Sequence, residues 1–183
     1  MAAKALTIST LTTGLILAPA LGFSQLTPSL DFHAGYFASS RFTERNGQSA
    51  TLEAIELGTS FPVFPKIPLG PGLGGIQLAF SPSIDFLGSV GSQTSKGQIY
   101  RAMLTATAPI PGTGLYGRFG AGYGYLTSGG AAYGPQSAYV IDYTLGMPIF
   151  NQIPALSVNA EITYHQSSTG QVGGWTLGLN AKF

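Results

Sequence analysis

The chain has 183 residues, of which 8% are charged, and its eight basic and seven acidic side chains give a net charge of +1. Soluble domains carry roughly 25% charged residues, so a surface turned wholly to water is excluded, and the near-zero net charge leaves no basic patch for nucleic acid. The absence of cysteine rules out disulfides, thiolate metal sites and the lipidated cysteine of a lipoprotein.

The N-terminus reads as an export signal over residues 1–22. Lys4 supplies the positive start, residues 5–20 are mostly apolar and small, and Ala20-Leu21-Gly22 fits a signal peptidase cutting before Phe23. Cleavage after Ser24 is the competing site. Beyond this stretch no apolar run reaches the length of a membrane-crossing helix. Residues 23–183 alternate instead, in eight segments separated by turn residues.

Residues 29–41 place Leu30, Phe32, Ala34, Tyr36 and Ala38 on one face and Asp31, His33, Gly35, Phe37 and Ser39 on the other. Residues 50–63 set Ile55, Leu57, Thr59, Phe61 and Val63 against Ala54, Glu56, Gly58 and Ser60. A Pro/Gly connection, PKIPLGPGLGG, leads to residues 76–88. There Ile76, Leu78, Phe80, Pro82, Ile84 and Phe86 alternate with Gln77, Ala79, Ser81, Ser83 and Asp85. Pro82 lacks the N–H that a ladder needs, so a bulge or local break is expected there.

Residues 98–109 oppose Tyr100, Ala102, Leu104, Ala106 and Ala108 to Arg101, Met103, Thr105 and Thr107, and IPGTG then makes a tight turn. Residues 115–127 oppose Phe119, Ala121, Tyr123 and Tyr125 to Arg118, Gly120, Gly122 and Gly124. These glycines lie inside a strand and not at a strand-to-helix turn, so they give room to bulky neighbours and do not form a dinucleotide site. Residues 138–149 oppose Tyr139, Ile141, Tyr143, Leu145 and Met147 to Val140, Asp142, Thr144 and Gly146; FNQIP turns the chain. Residues 155–166 oppose Leu156, Val158, Ala160, Ile162 and Tyr164 to Ser157, Asn159, Glu161, Thr163 and His165. The last segment, 174–183, opposes Trp175, Leu177, Leu179, Ala181 and Phe183 to Thr176, Gly178, Asn180 and Lys182.

Two regularities set the architecture. Mid-strand charges fall on the polar phase: Asp31, Glu56, Asp85, Arg101, Arg118, Asp142, Glu161 and Lys182. A lysine or arginine on a lipid-facing wall costs roughly 2–4 kcal/mol at the midplane, which excludes it there. Connections also alternate in kind: the first, third, fifth and seventh are polar and Gly/Ser-rich, while the second, fourth and sixth carry proline. The expected fold is therefore all-β, an eight-stranded antiparallel up-and-down transmembrane β-barrel with outer loops, inner turns and both termini on the inner, periplasmic side. Phe86, Tyr123, Tyr125, Tyr139, Tyr164 and Trp175 gather toward the loops and Phe61, Phe150 and Phe183 toward the turns, as interfacial belts do.

An eight-stranded lumen is just wide enough for its own side chains, so isolated ions inside it are costly and should pair. Asp85 and Arg101 are expected to meet near the loops and Asp31 and Lys182 near the turns. Arg118, Glu56 and Glu161 lie near mid-depth. Together they would form an ion-paired plug.

The final strand, with Trp175, Leu177, Leu179 and the terminal Phe183, resembles the assembly signal of bacterial outer-membrane barrels. The pattern as a whole resembles small outer-membrane barrels of the OmpA type. That resemblance implies an integral outer-membrane location and contact with outer-membrane lipid and lipopolysaccharide. It also implies barrel-assembly machinery and other envelope proteins as partners. His165-Gln166-Ser167 resembles the His-x-Ser of lipid A deacylase barrels, in which His165 would be the general base and Ser167 the nucleophile. No carboxylate follows Ser167, and the phase turns His165 inward, so no catalytic residue is assigned. His33 and His165 lie on distant strands without a ligand motif, so no metal or other cofactor is assigned either. The leading functional expectation is a non-enzymatic barrel with an envelope-structural or surface-contact role. A narrow pore for ions or small solutes and a lipid A deacylase-like hydrolase are the alternatives.

Overall fold

The computed structural model describes residues 30–43, 49–71, 73–90, 97–127, 134–153, 156–169 and 172–183. The export segment and its cleavage site lie outside them. Nine strands run in order: β1 Asp31–Thr43, β2 Ser49–Pro62, β3 Ile67–Gly70, β4 Gly74–Val90, β5 Gln98–Pro109, β6 Tyr116–Leu126, β7 Gln136–Ile153, β8 Leu156–Ser167 and β9 Gly174–Lys182. Each long strand pairs antiparallel with the next, β2 pairing directly with β4. β9 returns to β1 from Asp31↔Lys182 to Ala38↔Trp175. The eight long strands thus form a closed antiparallel barrel, a shape without free edges.

The alternation in the sequence becomes two opposite surfaces. Phe32, Tyr36, Leu104, Phe119, Leu145 and Leu177 stand exposed on the outer wall, whereas Glu56, Asp85, Arg101, Asp142 and Glu161 are buried in the lumen. This inverts the polarity of a water-soluble domain. Among the described residues one carboxylate lies on the outward phase, Glu53 near the loop end of β2, and it is met by the Tyr36 hydroxyl.

Three connections differ from the sequence reading. The segment PKIPLGPGLGG contains β3, which pairs with the start of β4 through Ile67↔Ile76 and Pro68↔Gly75. Its turn needs left-handed backbone at Gly70 (φ 129°) and Gly74 (φ 72°), which glycine adopts at no steric cost. Pro68 fits because β3 has a neighbour on one side only and needs no second donor. The stretch read as a turn, FNQIP, instead continues β7 to Ile153, with the register slipping between Pro148 and Phe150 and again before Ile153. The strand carrying Pro82 runs from Gly74 to Val90, past both expected ends.

At Pro82 the ladder breaks on one side. Pairing with β5 runs through Pro82↔Ala102 without a shift. Pairing with β2 is interrupted between Gly58↔Ser83 and Phe61↔Phe80. Inside the barrel at this level a hydroxyl chain links the three strands. Ser60 Oγ lies 2.8 Å from Ser81 Oγ, and Ser81 Oγ lies 2.9 Å from Thr105 Oγ1. The fourth turn is compact: Ile110 N–H donates to Leu115 O at 2.8 Å, and Gly112 and Gly114 supply positive φ.

Candidate functional site

The candidate site is the lumen. Its loop end is apolar. Phe37 from β1, Leu52 from β2, Leu87 from β4, Ile99 from β5, Leu126 from β6 and Val140 from β7 form one cluster with Val172, which precedes β9. Phe37, Leu52, Ile99, Leu126 and Val172 have no exposed surface. Glycines make the space. A Cβ on Gly124 would lie 2.7 Å from Val172 Cγ1, and one on Gly122 would lie 2.7 Å from Met103 Sδ.

Beneath this cap lies a ring of ions. Arg101 Nη1 stands 2.8 and 2.7 Å from the two oxygens of Asp85. The same nitrogen is 3.8 Å from Glu56 Oε1. The Arg101 guanidinium stacks on Phe37 at 4.8 Å from the ring centroid, joining the ionic layer to the cap. Register explains the pairing: Asp85↔Ile99 and Ser83↔Arg101 put both side chains on adjacent strands at one level.

Glu56 is the hub. Its Oε2 accepts the Thr176 hydroxyl proton at 2.5 Å, while Oε1 faces His33 Nε2 at 3.4 Å. Thr176 Oγ1 in turn lies 2.9 Å from His165 Nε2, and His165 Nδ1 lies 2.7 Å from Asp142 Oδ1. A carboxylate can only accept, and Thr176 has already given its one proton to Glu56. Both ring nitrogens of His165 therefore donate, an arrangement that a protonated ring satisfies. The network gathers β1, β2, β4, β5, β7, β8 and β9 around one layer.

Nearer the turns, Arg118 Nη2 meets Glu161 Oε2 at 2.6 Å, and the Tyr116 hydroxyl donates to Glu161 Oε1 at 2.5 Å. Tyr116 packs against Gly146, where a Cβ would come 2.1 Å from its ring. Asp31 and Lys182 are directly paired in register, yet their charges stand 4.0 Å apart and are partly exposed, so this pair is weak. Between the two ionic layers a polar cavity of about 40 Å³ is lined by Ser81, Thr105, Thr144, Thr163 and Thr176 among others. That is room for about three waters.

The geometry therefore brings together Asp85 with Arg101 and Arg118 with Glu161. It draws Glu56 to Arg101 and the histidines, not to Arg118. Asp142 takes His165 as its partner. Sequence reasoning missed three elements. These are the Asp142–His165–Thr176–Glu56 chain, Tyr116 as a second ligand of Glu161, and the whole apolar cap. The first could have been found from register, since Asp142 and His165 are direct cross-strand partners. Asp142, His165 and Thr176 stand in an acid–imidazole–hydroxyl order, but all three are buried, and the adjoining cavity has no room for a substrate. Ser167 is engaged elsewhere, accepting the Thr169 N–H at 3.1 Å. Trp175, Leu177 and Leu179 line the outward face of β9 and Phe183 follows it, all exposed. Among the described residues no group of three or more His, Asp or Glu is placed to hold a metal ion.

The chain matches no protein-family profile and no curated protein sequence. Its fold is similar to those of solved outer-membrane barrels. Neisserial surface protein A superposes with a TM-score of 0.51 at 13% identity, covering 85% of this chain and 94% of that one. The outer-membrane enzyme PagL superposes with a TM-score of 0.50 at 13% identity, covering 83% and 98%. Ail of Yersinia pestis superposes at 0.49 and 16% identity, covering 85% and 99%. At these identities the likeness is one of fold: the small eight-stranded barrel of bacterial outer membranes.

Proposed function

We propose that the protein is a non-conducting, non-enzymatic barrel of the bacterial outer membrane that serves the envelope as a structural element or through surface contacts. The observation that carries this is the filled lumen. An apolar cap with five fully buried side chains lies directly on a ring of mutually compensated ions. An open water path would leave those ions hydrated and the cap exposed. Both ends of the described chain meet at the turn end, where Phe183 N–H donates to Leu30 O at 3.1 Å. With the turns inward, both termini are periplasmic and the loops face out toward lipopolysaccharide and other envelope proteins. The apolar side chains of β9 are then the signal offered to the assembly machinery.

The test is single-channel recording from the mature chain, residues 23–183, in a planar bilayer. A folded, heat-modifiable barrel with no conductance steps is expected. Stable steps that change in Arg101→Ala would replace this reading with a narrow pore. The hydrolase reading is tested by incubating the barrel with lipid A. Deacylated product that disappears in Ser167→Ala would establish it; no product is expected.

A further inference from the structure

On the outer wall, Phe119, Tyr143, Tyr164 and Trp175 follow one another in register across β6 to β9. They stand as two aromatic pairs, with ring centroids 5.6 Å apart at Phe119 and Tyr143 and 4.7 Å apart at Tyr164 and Trp175. The next outward row toward the turns runs Ala108↔Gly117↔Leu145↔Ile162. Two such rows on one face lie about 7 Å apart. An open groove of about 600 Å³ follows them, with the small residues Ala106, Ala108 and Gly117 in its lining at the turn end. A Cβ on Gly117 would meet no atom within 4 Å, so the floor there is bare.

The groove climbs the wall. Followed through Ala106 and onward through Trp175, Ala38 and Glu53, the register leaves β4 at Leu78 and returns to it at Ser89. Eleven residues of strand tilted by about 40° rise about 28 Å. The four steps from β5 to β9 are half of that circuit and rise about 14 Å. One leaflet of a 30 Å hydrocarbon core is about as deep. A hydrocarbon chain in the groove gains dispersion contacts from a floor and two walls, whereas one lying on the convex barrel elsewhere touches a single side. The small residues leave the turn end open, and the bulky Tyr164 and Trp175 close the other. We propose that the groove holds one acyl chain of a glycerophospholipid from the leaflet on the turn side, its methyl end toward Trp175. The inference rests on the barrel's place in lipid and stands whether or not the lumen conducts.

The mature chain is refolded into vesicles of phosphatidylethanolamine and lipid A in equal parts, extracted into mild detergent and weighed by native mass spectrometry. One phosphatidylethanolamine per barrel is expected. Gly117→Leu and Ala108→Leu each fill the open end and should cut that retention about tenfold. Ala102→Leu adds the same bulk to an exposed position of β5 outside the groove and should leave it unchanged. Gel mobility with and without heating shows which variants are folded. Lipid A retained instead, equal loss from all three variants, or a folded native barrel that keeps no lipid overturns the proposal. A native chain that does not enter vesicles brings down the membrane reading with it.

Discussion

Replacing Arg101 with methionine keeps much of the side-chain volume but removes the positive charge from the lumen's upper ionic layer. Asp85 has no exposed surface, and Arg101 is its only ion-pair partner among the described residues. Breaking a buried pair by deleting one member costs about 3–5 kcal/mol, because the other charge is left without solvent or partner. The lost stacking on Phe37 adds about 0.5–2 kcal/mol. Asp85→Asn is expected to be milder, about 1–3 kcal/mol, since Arg101 retains Glu56 at 3.8 Å and the amide oxygen can still accept. The double variant Arg101→Met/Asp85→Leu strands neither charge, and Glu56 keeps His33 and Thr176. It should therefore be more stable than Arg101→Met alone. Equilibrium urea unfolding from lipid vesicles, followed by Trp175 emission and by gel mobility with and without heating, measures all three. If Arg101→Met lost less than about 1 kcal/mol, or the double variant were no more stable than Arg101→Met alone, the pair would not be a coupled buried one.

Three further perturbations probe other layers. Gly146→Ala sets a Cβ 2.1 Å from the Tyr116 ring and must drive Tyr116 off Glu161. A loss of about 1–3 kcal/mol is expected, largely relieved in Gly146→Ala/Tyr116→Ala, as the urea midpoint would show. Phe37→Ala empties the centre of the cap and is expected to cost about 3–5 kcal/mol. It should also admit ions where the native barrel is expected to be silent, which bilayer recording checks. Thr176→Val leaves Glu56 and His165 each short of one hydrogen bond. A loss of about 1–3 kcal/mol is expected, and a variant as stable as the native chain would show that the Glu56–Thr176–His165 relay contributes nothing.

Much of the wall was legible in the sequence because hydrocarbon enforces a strict rule. A charge such as Arg118 or Asp142 deep in the wall has only one phase open to it, so each such residue marks the inward face of its strand; Glu53, near the loop end of β2, is free of that rule. The pairing of Asp85 with Arg101 followed from strand order alone. The upper network did not, because Glu56 draws its partners from β1, β5, β8 and β9, and their level depends on barrel closure and stagger. The cap was hidden for another reason. Phe37, Leu126 and Val140 sit on the polar phase, where a lone apolar residue looks like noise in the alternation; only their convergence at one end gives them meaning. β3 was missed because the prolines and glycines in and around it are the usual marks of a connection, and its one-sided pairing tolerates Pro68.

The interleaving of inward and outward residues has a bearing on the journey the chain makes before it folds. Nowhere along the linear polypeptide past residue 22 is its lipid-facing surface gathered into one stretch. Leu177 and Leu179 are separated by Gly178, and Tyr143 and Leu145 by Thr144. The apolar belt exists only once neighbouring strands are in register. A translocation channel that diverts long apolar segments sideways into the inner membrane meets none in this part of the chain, and the affinity for lipid arises at the destination, together with the fold.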